Sequence, residues 1–218
     1  MNSFLRTPLP AVVSAAVATA VGVGLLMALP TAASAATPAE PWEVSRSISA
    51  DLGAADGWRG HLTVTHEEVR AGTAVPVRRL VIDVMLVRRT CDIGGCMETV
   101  LRTEPAPTTA RWRPHLAAAS VTSDDGVPVR VRRYAVDDTG ATTDRILEDR
   151  VVPLRVAVRA RSTGGDYTSS FRSTSAGIVT MSRSRQVSAD VVVVLGGLRA
   201  TSSGGGMSWS RRHTRPVP

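Results

Sequence analysis

The chain has 218 residues, of which 43% are hydrophobic and only 4% aromatic, so its core must be built mainly from aliphatic side chains. All 26 basic residues are arginine, as expected of a genome rich in G and C, and the formal net charge is +7. The shortage of aromatic residues argues against a sugar-binding module, which usually presents an aromatic stacking platform.

Residues 1–35 have the features of a secretory signal peptide. Arg6 lies before a largely apolar run over residues 11–29, and small residues at 33–35 predict cleavage between Ala35 and Ala36. The alternative is an uncleaved membrane anchor, because the apolar run is long enough to span a bilayer. Cleavage predicts a secreted, extracellular mature chain without a further membrane segment.

Residues 36–41 are predicted to be a linker, 42–213 a β-rich domain and 214–218 a tail. Apolar residues alternate with polar ones over 42–52, and Leu62 and Val64 point inward from a second strand over 61–69. Residues 80–103 are predicted to form a central hairpin. Its first strand is apolar on both faces, which favours a strand that is covered on both sides.

Cys91 and Cys96 flank the tip of this hairpin, around a four-residue loop at 92–95. Cysteines on opposite sides of a short hairpin loop lie within reach of each other, so a structural disulfide is predicted. A redox centre usually has two residues between its cysteines rather than four, and a metal site needs more ligands than this loop offers. An even number of cysteines fits an oxidising compartment.

The remainder of the chain contains further short strands separated by Gly, Pro and Asp. Strands are predicted over 116–122, 129–136, 154–161, 167–173, 178–182 and 186–195, with a turn at 162–165 and a flexible loop at 202–206. Without a sustained helical period, this pattern predicts an all-β fold, an antiparallel β-sandwich of immunoglobulin-like or similar type after the signal peptide helix. Two small β subdomains that meet near 123–126 are the alternative.

Positive charge is concentrated in the C-terminal third. Residues 36–140 contain 13 arginines and 14 acidic residues, whereas 141–218 contain 12 arginines and 5 acidic residues. Arg155, Arg159 and Arg161 alternate with apolar residues, so they form a one-sided row spaced for a polyanion. The alternative role of this row is a solvated face that protects a sheet edge from aggregation.

No residue pattern points to a reaction. His61 and His66 are five residues apart and therefore face opposite sides of a strand, which excludes a shared metal ion. The acidic pairs at 67–68, 124–125 and 137–138 consist of neighbours that point apart, and the last two fall in predicted turns. We therefore expect no catalytic, metal or cofactor site, and the alternative is a secreted hydrolase whose site is assembled from dispersed residues such as His115.

Residues 152–198 combine a Val/Arg strand (VPLRVAVRARSTGG), a Ser/Phe/Arg stretch (YTSSFRSTSAG) and an alternating strand that ends at glycine (RQVSADVVVVLGGL). This order resembles the end of small exported β-rich proteins of high-GC Gram-positive bacteria. The resemblance implies secretion and a β-rich fold, and it implies no activity. The expected function is non-catalytic binding of an anionic cell-wall polymer. Nucleic acid is not an expected partner, because export separates the protein from nucleic acid. In addition, the basic stretches lack the interleaved aromatic residues on which bases could stack.

Overall fold

The computed structural model describes residues 40–72, 74–123 and 125–216. The predicted signal peptide, its cleavage point at Ala35 and Ala36, and most of the predicted linker lie outside the described residues. The described helical segments are two short 3₁₀ turns, Ala55–Gly57 and Pro114–Leu116, and neither has the length or apolar character needed to span a bilayer.

Antiparallel strands make up most of the described chain. They are β1 (Trp42–Ala54), β2 (Arg59–Arg70), β3 (Val77–Asp92), β4 (Gly95–Thr103), β5 (Thr109–Trp112), β6 (Ala118–Thr122), β7 (Val127–Val136), β8 (Thr142–Leu154), β9 (Val156–Ser175), β10 (Ile178–Leu195) and β11 (Leu198–Pro216). All of them belong to one sheet with the order β5-β6-β9-β10-β11-β1-β2-β3-β4-β7-β8. The predicted all-β antiparallel class is therefore confirmed, whereas the two-sheet sandwich stays a prediction.

The sheet curls into a half-barrel, and residues from both ends of its strand order belong to one core cluster. Only Arg155 separates β8, an edge strand, from β9, which lies near the opposite edge. The Leu154 side chain packs against the turn after β10, where a Cβ added to Gly196 would lie 2.8 Å from its Cδ2. The chain thus passes directly from one end of the sheet to the other.

One hydrophobic core lies on the inner face of the curled sheet. Its members alternate along the strands, as the period of two predicts, and come from both ends of the sheet order. Fully buried examples are Leu86 on β3, Val129 on β7 and Val158 on β9. Trp58 closes part of this core, and the Arg88 guanidinium lies 4.8 Å from its ring centroid.

The tip of the central hairpin agrees with the sequence prediction. Cys91 and Cys96 are directly opposite each other in β3 and β4, and their sulfur atoms lie 1.97 Å apart. The predicted disulfide is therefore confirmed. The strands extend further than expected, to Asp92 and Gly95, because the Asp92 carboxylate accepts the Gly94 N–H at 2.7 Å and tightens the turn.

The expectation that β3 is covered on both faces is wrong. Ile82, Val84 and Leu86 are buried on the inner face, but Val81 on the outer face is 37% exposed. The outer face is shielded only in part, by long side chains such as Arg102, which lies opposite Met85. The apolar stem of an arginine can cover such a residue while its charged end stays in water.

Three local predictions are corrected by the structure. The sequence does not predict strand β8, since most of its residues are exposed and it lies at the sheet edge, where no apolar alternation is needed. The predicted turn at 162–165 is a bulge within β9, where Gly164 and Gly165 adopt positive φ without reversing the chain. The predicted loop at 202–206 belongs to β11, and Gly205 allows close packing because an added Cβ would lie 2.6 Å from Val191.

Candidate anion-binding surface

Strands β5, β6 and β9 lie side by side at one end of the sheet and present a shared outer face. The buried residues Ala119 and Val121 of β6, and Val158 and Ala160 of β9, point to the inner face. Residues between them in the sequence must therefore point outward. This alternation places Arg159 and Arg161 on the outer face, as the sequence predicts.

Four arginines surround a shallow depression on this face, which we call the arginine groove: Arg111, Arg113, Arg159 and Arg161. In the strand register Arg111 lies opposite Ser120, and Ser120 lies opposite Arg159. The groove has a volume of about 870 Å³, and small or apolar residues, including Ala118, Ser120 and Val192, form part of its lining. The small side chains keep the depression open between the long arginines.

The groove carries positive charge that the described residues do not neutralise. All four arginines are exposed, and none forms an ion pair in residues 40–72, 74–123 and 125–216. Asp190 lies opposite Arg161 on β10, but the distance between their charged atoms exceeds that of an ion pair. A planar guanidinium binds the oxygen pairs of carboxylates and phosphates, so four of them form a surface suited to an extended anion.

The sequence identified only part of this set. Arg159 and Arg161 line the groove, whereas Arg155 lies at the junction of β8 and β9 outside it, exposed, with its carbonyl accepting the Gly196 N–H at 2.9 Å. Arg111 and Arg113 were missed because their position depends on the pairing of β5 with β6 and of β6 with β9. An alternating R-W-R triplet was visible in the sequence, but nothing in it indicated the neighbouring strand.

One member of each of two acidic pairs considered in the sequence has a structural partner. Glu68 accepts hydrogen bonds from Arg78 at 3.2 Å on the neighbouring strand. The Asp137 carboxylate accepts hydrogen bonds from the Thr139 hydroxyl and the Ala141 N–H, and these bonds lower the pKa of Asp137 below its ordinary value. Asp137 therefore stabilises a turn, while Asp124 lies outside the described residues.

The histidines are dispersed in the structure. His61 faces the outer surface of β2 and His66 its inner surface, where the Arg46 Nη1 lies 3.3 Å from the imidazole Nδ1. Partial burial, and then the neighbouring Arg46 charge, lower the pKa of His66. Among the residues for which the structure gives positions, no three His, Cys, Asp or Glu side chains come together as a metal site. No protein-family model matches the sequence, and no curated protein matches it.

Proposed function

We propose that this chain is an exported, non-catalytic protein that binds an anionic cell-wall polymer through the arginine groove. The observation that carries the proposal is the groove itself: four exposed guanidinium groups from two separate stretches of sequence converge without a carboxylate partner among the described residues. Like charges brought together in this way repel one another, and a bound polyanion relieves that repulsion.

The dimensions and openness of the groove favour a polymer over a small anion. Arg111 and Arg159 lie on either side of Ser120, and Arg161 continues along β9. Successive phosphate or carboxylate groups along a flexible chain can therefore contact successive arginines. Each such contact releases a counterion, which makes the affinity depend steeply on salt.

Two features support export as the setting for this binding. The signal-peptide pattern at residues 1–35 predicts secretion. The Cys91–Cys96 disulfide is of the kind that persists in oxidising compartments outside the cytosol. An exported protein of this charge would first meet the anionic polymers of its own cell wall.

Retention on isolated cell walls, measured against NaCl concentration, tests the proposal. We expect the logarithm of the binding constant to fall linearly with the logarithm of the salt concentration. The double variant Arg159→Gln/Arg161→Gln should lower the slope by about 0.7 for each lost contact, if the polymer releases counterions as single-stranded nucleic acids do. Walls stripped of their phosphate and uronate polymers should no longer retain the protein.

The matched control is Arg130→Gln/Arg132→Gln, which removes the same charge from arginines that are paired with Glu104 and Asp149. This control should keep the wild-type slope. Retention that ignores ionic strength, or an equal loss in the two double variants, would show that the groove is not the binding surface.

A further inference from the structure

A second pocket lies on the inner face of the sheet, where the apolar core ends. Ile48, Met207 and Val187 are buried neighbours on β1, β11 and β10. Two residues further along each strand, on the same face, the row continues as Arg46, Trp209 and Arg185. A row of arginine, tryptophan and arginine thus follows directly on the edge of the core.

The segment between β5 and β6 covers this row and completes the pocket. Trp112 and the turn Pro114–Leu116 line it from the other side, and its volume is about 430 Å³. Pockets of this size accommodate one small molecule. The volume suits a single or fused ring and is too small for the polymer proposed above.

The turn that covers the pocket is fixed in place. His115 and Leu116 both have φ of 56°, a left-handed conformation that is uncommon for residues other than glycine. Leu116 is buried in the core, and the Arg185 Nη1 donates a hydrogen bond of 2.8 Å to the His115 carbonyl. The Arg185 Nε also donates to Asp166 at 2.8 Å, so Arg185 acts as a brace for the turn and its charge is already balanced.

Two other cations of the pocket have no carboxylate partner in the described part of the chain. The Arg46 Nη1 lies 3.3 Å from the His66 imidazole Nδ1 and forms no ion pair there, and Arg113 has no ion pair there either. The indole Nε1 of Trp112 is buried and has no hydrogen-bond acceptor among the described residues. A buried donor without an acceptor is costly, and an anionic oxygen in the pocket would satisfy it.

We propose that the pocket between Trp112 and Trp209 binds a small organic anion with a flat ring, of the aromatic carboxylate class. The ring lies against the indole side chains, and the carboxylate is bound by Arg46 and Arg113, with the Trp112 N–H as a further donor. This goes beyond polymer binding at the arginine groove. Arg113 and Trp112 line both sites, but Arg46 and Trp209 line only the inner pocket.

Titration of the mature protein with benzoate, followed by intrinsic tryptophan fluorescence and calorimetry, tests this proposal. We expect saturable binding with one site per chain. Benzyl alcohol, which has the same ring without the charge, should bind at least tenfold more weakly. Arg46→Gln should weaken benzoate binding at least tenfold, and Trp209→Leu should also weaken it because the ring loses an aromatic contact.

The matched control is Arg183→Gln on β10, an exposed arginine on the same face that lies outside the pocket. It should change benzoate affinity less than twofold. Arg46→Lys, which keeps the charge but loses the planar fork, should give an intermediate affinity and covers the case in which Arg46→Gln fails to fold. No saturable binding, equal affinity for benzyl alcohol, or an equal loss in Arg183→Gln would overturn the proposal.

These outcomes are separate from those of the cell-wall test. Arg46→Gln should retain salt-dependent binding to cell walls, because Arg46 does not line the arginine groove. Conversely, Arg159→Gln/Arg161→Gln should retain benzoate binding. Either proposal can therefore fail while the other holds.

Discussion

The arginines in two regions of the sheet have opposite surroundings. On β3, β4, β7 and β8 most of them are paired with carboxylates: Arg102 binds Asp83 at 3.0 Å, and Arg132 binds Asp149 at 3.2 Å. On β5 and β9 the arginines of the groove have no such partner among the described residues. The charge of the same residue type is thus neutralised in one region and leaves the other with a positive field.

Strand register accounts for part of this difference. Arg132 lies directly opposite Asp149, so a short, exposed ion pair forms between neighbouring strands. In the groove, Ser120 lies opposite both Arg111 and Arg159, so neither has an acid across the ladder on β6. Arg161 lies between Ala118 and Asp190, and it stays unpaired because its charged end is beyond ion-pair distance of the Asp190 carboxylate.

The largest expected effect concerns the core that the two regions share. Leu86 on β3 and Val158 on β9 are fully buried in one cluster, so damage in either region should destabilise both. Leu86→Ala is expected to lower the free energy of unfolding by about 2–5 kcal/mol, through lost burial and the cavity left behind. Urea unfolding followed by tryptophan fluorescence and by circular dichroism should give one coincident transition. Two separate transitions would mean that the regions fold as independent subdomains.

The disulfide should affect stability without affecting binding. Removing it with Cys91→Ser/Cys96→Ser is expected to cost about 2 kcal/mol of unfolding free energy, because only a short loop is closed. The bridge lies between β3 and β4, in the region with paired arginines, so retention on cell walls should stay the same. Urea unfolding and the salt-dependent retention assay measure the two effects. A parallel loss of retention would contradict the separation of roles between the two regions.

The smallest expected effect comes from a variant that makes the region with paired arginines more like the region with unpaired ones. Asp149→Asn removes the carboxylate that Arg130 and Arg132 share. Because these side chains are exposed, stability should change little. Retention on cell walls should rise, since Arg132 loses its carboxylate partner while Arg130 keeps only Glu104. The charge-matched control Asp51→Asn changes an acid without an ion pair in the described chain and should have less effect than Asp149→Asn. An equal rise in retention in both variants would mean that binding depends on net charge alone.

Apolar alternation in the sequence predicted the strands that face the core. It failed for elements whose conformation depends on contacts with distant parts of the chain. Alternation located β1, β2 and the hairpin, because Ile48, Val64 and Val84 must all reach the same core. Edge strand β8 has no such requirement, and Gly164 in β9 has the same sequence signature whether it forms a turn or a bulge. The register that brings Arg111 beside Arg159 depends on strands far apart in the chain.

The most direct test of the central claim is an NMR titration that follows the arginine side-chain Nε–H signals as linear polyphosphate is added. The signals of Arg111, Arg113, Arg159 and Arg161 should shift first and together, and the shifts should diminish as salt is raised. The signals of Arg102 and Arg132 should move little, because their guanidinium groups are already paired with carboxylates. Shifts spread evenly over both groups, or confined to the paired group, would contradict the account.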